Sequence, residues 1–149
     1  MSSPKSILLS TDFSDPAEAA FHLAYSLARD RQARLIVLHV IPPPLCHGEV
    51  LARMPPDSYY QQMKEWLYRL QEPGGTVEID YRLKEGDPCA VIVQTAVDVD
   101  CDLIVMGTHG RTGLSRAVLG SVAEQVLRRS PCPVLTIRMP SSKCVAAPR

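Results

Sequence analysis

An excess of positive or of negative charge is missing from this chain. Sixteen basic residues offset sixteen acidic ones and the formal net charge is zero, which leaves no electrostatic footprint for a nucleic-acid backbone or an anionic membrane surface. Long apolar runs are missing too: nothing approaches the roughly 18 residues of a spanning helix. The opening MSSPKSILLSTDFS carries one basic residue and only the short run Ile7, Leu8, Leu9, too little for a secretory signal. The expectation is a soluble cytoplasmic protein with neither nucleic acid nor membrane among its partners.

Ligand spacings for metal are equally scarce. Cys46, Cys89, Cys101, Cys132 and Cys144 are odd in number and include no C-x-x-C pair, so all five are read as reduced thiols. His22, His39, His47 and His109 are scattered, without H-x-x-E-H or H-x-x-x-H spacing, and no metal centre is assigned. No internal repeat or low-complexity run is found. What is present is an ordinary composition, 46% hydrophobic over 149 residues. That suits one domain able to bury a core without disulfides or metal. We expect the domain over residues 1–140 and a loose tail over 141–149.

Short apolar runs alternate with helical patterns along the chain. The run ILLS from Ile7 to Ser10 reads as a buried strand that ends at Thr11 and Asp12. Ser14, Asp15 and Pro16 then supply a cap and a first-turn proline to a helix bearing Ala17, Ala20, Phe21, Ala24, Leu27 and Ala28 on one face. LIVLHVI, from Leu35 to Ile41, is a second strand halted by Pro42, Pro43 and Pro44. The stretch 42–56 holds five prolines and reads as an irregular connection, a lid or a docking surface. A second helix begins at Asp57 and runs through Tyr60, Met63, Trp66, Leu67 and Leu70. Tyr60 and Trp66 are read as packing residues. Val77, Ile79 and Tyr81 alternate as a third strand, and Glu85-Gly86-Asp87-Pro88 forms a turn that caps a third helix. Leu103 to Met106 is a fourth strand, a fourth helix opens at Ser121, and a fifth strand spans residues 134–138. Strand and helix in this order imply a parallel, doubly wound α/β sheet with helices on both faces. Ligands of such sheets sit beyond the carboxyl ends of the strands at the topological switch point.

The stretch VMGTHGRTGLSRAVLGSV, residues 105–122, carries the chemistry. Gly107, Gly110 and Gly120 stand at G-x2-G-x9-G, and Ser121 follows directly. Glycine permits positive φ and close approach of a ligand, so Gly107 and Gly110 can aim N–H groups at an anion. Gly120 and Ser121 open a helix whose first N–H groups and dipole also favour phosphate. The pattern is not a P-loop, since G-x4-G-K-[ST] is absent, nor the dinucleotide fingerprint, which follows the first strand. For Asp12 an Asx-turn into the first helix competes with a ligand role. For Ser14 and Asp15 helix capping is the reading.

These residues, with ILLSTDFSDPAEAA, LIVLHV, EGDP and LGSVAEQVLRRSPCPVL around them, resemble the universal stress protein family, in particular its ATP-binding branch. The resemblance covers most of the chain. It implies an open five-stranded parallel sheet in the order 3-2-1-4-5 with four helices, an adenine nucleotide alpha hydrolase-like fold. It also implies a homodimer that pairs the last strand, residues 134–138, with its partner's copy. Carried over by position, Thr11, Asp12 and Phe13 would line the adenosine half of the site and Val40 would pack on adenine. Met106 and Gly107 would meet base and ribose. Backbone at Gly107 to Gly110 and at Gly120, Ser121 and Val122, with the Ser121 hydroxyl, would hold phosphates, and His109 and Arg111 stand nearby. The cofactor so implied is ATP, with any Mg²⁺ or Mn²⁺ brought by the nucleotide. No carboxylate or lysine lies within the glycine stretch to drive hydrolysis. A dimeric stress-response regulator without catalytic residues is therefore the reading. Two alternatives stay open: a slow metal-dependent ATPase with Asp12 or His109 as base, and a nucleotide-independent interaction module.

Overall fold

The computed structural model describes residues 5–43, 57–70, 75–108 and 119–138. The chain runs β1 (Ser6–Ser10), α1 (Asp15–Arg31), β2 (Arg34–Ile41), α2 (Asp57–Leu70), β3 (Ile79–Glu85), α3 (Pro88–Asp98), β4 (Leu103–Gly107), α4 (Ser121–Arg129) and β5 (Val134–Ile137). All strand pairs are parallel, in the order β3-β2-β1-β4-β5. The expected sheet and its four helices are therefore the observed ones.

Central strands with no polar face can be buried only between two helical layers. Successive side chains of β1 and β2 sort accordingly. Ile7, Leu9, Leu35 and Val37 face one cluster with Ala20, Phe21, Ala24 and Ala28 of α1 and Met63, Trp66, Leu67 and Leu70 of α2. Leu8, Ile36, Leu38 and Val40 face the other, with Cys89, Ile92 and Ala96 of α3 and Ala123 and Val126 of α4. The alanine stripe of α1 lets that helix approach the sheet closely.

Helix starts follow their side chains. The Ser14 hydroxyl accepts from Ala17 N, and Asp87 accepts from Ala90 N at 2.9 Å, each with a proline in the first turn. The third strand departs most from its expected bounds. The third strand begins at Ile79 rather than Val77 and runs on through Glu85, because the ladder with β2 extends from Leu35 opposite Ile79 to Ile41 opposite Glu85. Tyr60 is 44% exposed, so of the two residues read as packing only Trp66 enters the core. The connection 42–56 beyond Pro43 and the tail 141–149 lie outside the described residues.

Candidate nucleotide site

Where β1 and β4 run side by side, with Ser10 opposite Met106, the following connections leave toward opposite faces of the sheet. A cavity of about 440 Å³ opens at this switch point, within the usual range for small-molecule sites. Its walls are Ser10, Thr11 and Asp12 after β1, His39, Val40 and Pro42 at the end of β2, and Met106, Gly107 and Thr108 at the end of β4. Ala17 of α1, Tyr59 of α2, Pro88 and Ile92 of α3, and Gly120, Ser121, Val122 and Ala123 at the start of α4 complete it.

Hydrogen bonds set the shape of this edge. Thr11 N donates to the Leu38 carbonyl at 2.9 Å, and His39 Nδ1 donates to the Thr11 carbonyl at 2.8 Å. The carbonyl can only accept, so Nδ1 carries a proton. Together they pin the exit of β1 to the end of β2. The chain then turns sharply. Phe13 N donates to Thr11 Oγ1 at 3.1 Å, Ser14 N donates to Asp12 Oδ1 at 3.0 Å, and the Ser14 hydroxyl donates to the same oxygen. Asp12 thus makes the Asx-turn and still lines the cavity.

On the other side, Thr108 N donates to the Ile137 carbonyl at 2.9 Å and its own carbonyl accepts from Gly120 N at 2.7 Å. That second bond seats the α4 start against the end of β4. Gly120 provides no side-chain cap, and the first intrahelical bond is from Glu124 N to the Gly120 carbonyl at 2.9 Å. The N–H groups of Ser121, Val122 and Ala123 therefore have no acceptor within the helix. All three residues line the cavity, at the positive end of the helix dipole. Among the described lining residues Asp12 is the one with a formal charge, so the anion-attracting groups on the described wall are backbone N–H.

Thr11, Asp12, Val40, Met106, Gly107, Gly120, Ser121 and Val122, all expected in a site, are gathered around this one cavity. Phe13 is not on its wall. Its backbone is left-handed, with φ 66°, and the ring packs on His39 at 4.3 Å and edge-on to Trp66 at 5.5 Å between centroids. The turn that presents Asp12 to the cavity directs Phe13 into the core beside it. At Gly107 the structure adds a second demand to the expected one. It lines the cavity without a positive φ, and a Cβ there would meet Pro16 Cβ at 3.0 Å, so the start of α1 approaches closely as well. His109, Gly110 and Arg111 lie outside the described residues.

Sequence reasoning missed His39 and Tyr59, whose rings stack at 6.4 Å and 23°. His39 did carry a signal, as the one polar residue within LIVLHVI. It is 7% exposed. Tyr59 carried none, because the helical pattern of α2 places it among polar neighbours. Among the described residues no cluster of three His, Cys, Asp or Glu side chains could hold a metal ion. Nor, among the described residues, is any helix long and apolar enough to cross a membrane.

Sheet order, switch-point cavity and open helix start define a doubly wound α/β domain of the adenine nucleotide alpha hydrolase-like type. Comparison with known proteins narrows this. The model of the universal stress protein family matches residues 4–138. A universal stress protein of Methanocaldococcus jannaschii is 35% identical over 147 residues, covering 93% of this chain and 85% of that protein. The solved universal stress protein UspA from Lactobacillus plantarum superposes with a TM-score of 0.76 at 28% identity, covering 90% of this chain and 97% of its own. A solved universal stress protein in complex with cAMP superposes with a TM-score of 0.69 at 28% identity, covering 91% of this chain and 98% of its own. The chain belongs to the universal stress protein family.

Proposed function

We propose that this chain binds ATP in the switch-point cavity and serves as a dimeric stress-response regulator rather than as an ATPase. One observation carries the reading: three N–H groups without helical acceptors, at Ser121, Val122 and Ala123, line the same cavity as Asp12 and Val40. Phosphates belong at the α4 start, where N–H groups and dipole meet them. Asp12 would repel phosphate and suits the opposite end, where a carboxylate accepts from ribose hydroxyls. Apolar Val40, Ile92 and Met106 supply flat contact for the base, and the relative in complex with cAMP supports an adenine ligand.

The same wall argues for binding over turnover. Asp12 Oδ1 is occupied by Ser14 N and the Ser14 hydroxyl, and no lysine or arginine stands among the described lining residues to neutralise charge developing at a γ-phosphate. Mg²⁺ or Mn²⁺ enters on the phosphates. Regulation works through the dimer: β5 is an edge strand with its residues only half-buried, and pairing it with a second copy removes an exposed edge. The test is Gly120→Val, which sets a branched side chain in the phosphate path. Calorimetric titration should show saturable ATP binding for the parent protein and at least about a 100-fold loss for the variant, about 2.7 kcal/mol, with its circular dichroism unchanged. A folded variant that keeps the parent's affinity would refute the assignment.

A further inference from the structure

Two thiols lie together at the end of the sheet opposite the cavity. β4 and β5 are parallel neighbours with Ile104 opposite Val134, and Ile104 N donates to the Pro133 carbonyl at 3.0 Å. Cys101 precedes Ile104 by three residues and Cys132 precedes Val134 by two, so the two enter their strands side by side. Both pack in the same apolar cluster: Cys101 is 9% exposed and Cys132 is half-buried at its margin. Cys101 Sγ lies 3.0 Å from the Leu103 carbonyl. The segment before β5 is held by Ser130, whose hydroxyl donates to the Cys132 carbonyl at 2.6 Å and accepts from Cys132 N at 3.2 Å. Burial, followed by the charge and side-chain contact of Cys132, pushes the Cys101 thiol up to about 12. The strand register and the shared cluster bring the two side chains to adjacent strand entrances. Cys89, the third free cysteine of the described residues, belongs to the same cluster but stands in the first turn of α3, at the cavity end of the sheet, with Arg129 Nη1 at 3.8 Å.

We propose that Cys101 and Cys132 are a resolving and a peroxidatic cysteine that form a reversible disulfide on exposure to a hydroperoxide. Cys132, the more exposed, reacts first: its thiolate attacks the O–O bond, an S–O bond forms, and an alcohol or water leaves with the proton. The product is a Cys132 sulfenic acid. Cys101, shielded from bulk oxidant, then attacks the Cys132 sulfur. The S–S bond forms as the S–O bond breaks, and the Cys101 proton departs with hydroxide as water. Two thiols and one hydroperoxide thereby give one disulfide, one alcohol or water, and one further water; a dithiol reductant reverses the change. The bridge would close residues 101–132 into a covalent loop that contains the whole glycine-rich stretch and α4.

The experiment uses the full chain, treated with a few equivalents of hydrogen peroxide, alkylated, and mapped with trypsin without reduction. Fragmentation must separate Cys101 from Cys89, which share a tryptic peptide. The expected result is a monomer lighter by two hydrogens, a Cys101–Cys132 linked peptide, and recovery of both thiols after dithiothreitol. In Cys101→Ser, dimedone should trap the Cys132 sulfenic acid. The proposal is overturned if both thiols remain alkylatable, if Cys132 passes to sulfinic acid without a link, or if either joins a different cysteine or a second chain. The map of the unmutated protein decides the matter even where Cys101→Ser fails to fold.

Discussion

Substituting Gly107 by alanine probes the junction on which the site is built. A Cβ on Gly107 would lie 3.0 Å from Pro16 Cβ, 3.4 Å from the Pro16 carbonyl carbon and 3.6 Å from Ala17 N, against about 3.5–4.0 Å for a relaxed carbon contact. Neither side yields easily. Pro16 is ring-locked at the first turn of α1, and that turn is held by the Ser14 cap and by Glu18 N donating to the Ser14 carbonyl at 3.0 Å. Gly107 is clamped in the ladder with β5, opposite Ile137. Overpacking a tight junction costs about 1–3 kcal/mol, and removing a glycine from the unfolded chain returns about 0.4–1 kcal/mol. A net loss of about 1–2 kcal/mol is expected, which lowers the urea midpoint by about 0.5–1 M at unchanged slope. ATP affinity should fall as well, since any shift of Pro16 and Ala17 moves the cavity wall at Ala17. A Gly107→Ala midpoint equal to or above the parent's would refute the close-approach reading.

Other substitutions follow from the same geometry. Replacing His39 by leucine strands the Thr11 carbonyl, which now accepts from His39 Nδ1, and should cost about 1–3 kcal/mol in urea unfolding together with weaker ATP binding by calorimetry. Asp80 at the sheet edge holds Arg82 at 2.9 Å and Arg34 at 2.6 Å. The hydrogen bond from Arg82, joined by that from Arg34 and by both charges, outweighs burial and lowers the Asp80 carboxyl below 3.8. The folded value is the depressed one, so the pairing stabilises the fold above 3.8 and that contribution is lost as pH falls through the folded value. The urea midpoints of Asp80→Asn and parent should therefore differ above 3.8 and draw together as pH falls below it; a gap that stays constant would remove Asp80 from the acid limb.

Much of the architecture was legible because local signals agreed with one another. Serine or aspartate followed by proline marked the starts of α1 and α3, and apolar runs without a polar face marked strands that only a two-layered cover could bury. The end of β3 was less legible: Glu85 and Gly86 read as a turn, while the partner strand extends the ladder to Glu85. Sequence pattern does not report a neighbour's length. The site divided in the same way. Gly120 and Ser121 were legible because an uncapped helix start after a glycine stretch has a physical meaning by itself. Tyr59 and Ile92 reach the cavity only through the packing of α2 and α3 on the sheet. Phe13 misled because its left-handed φ reverses the side to which a residue beside Asp12 would otherwise point. Gly107 was placed at the site for ligand approach, whereas the structure adds a steric demand from Pro16.

The central claim is that the cavity between β1 and β4 holds an adenine nucleotide. It is tested most directly by denaturing freshly purified protein, identifying any released nucleotide by mass spectrometry, and titrating the emptied protein with ATP. The account predicts released ATP, or saturable binding of one ATP per chain that Gly120→Val abolishes. Protein that is empty as isolated and gives no heat with ATP, ADP, AMP or cyclic AMP would contradict it.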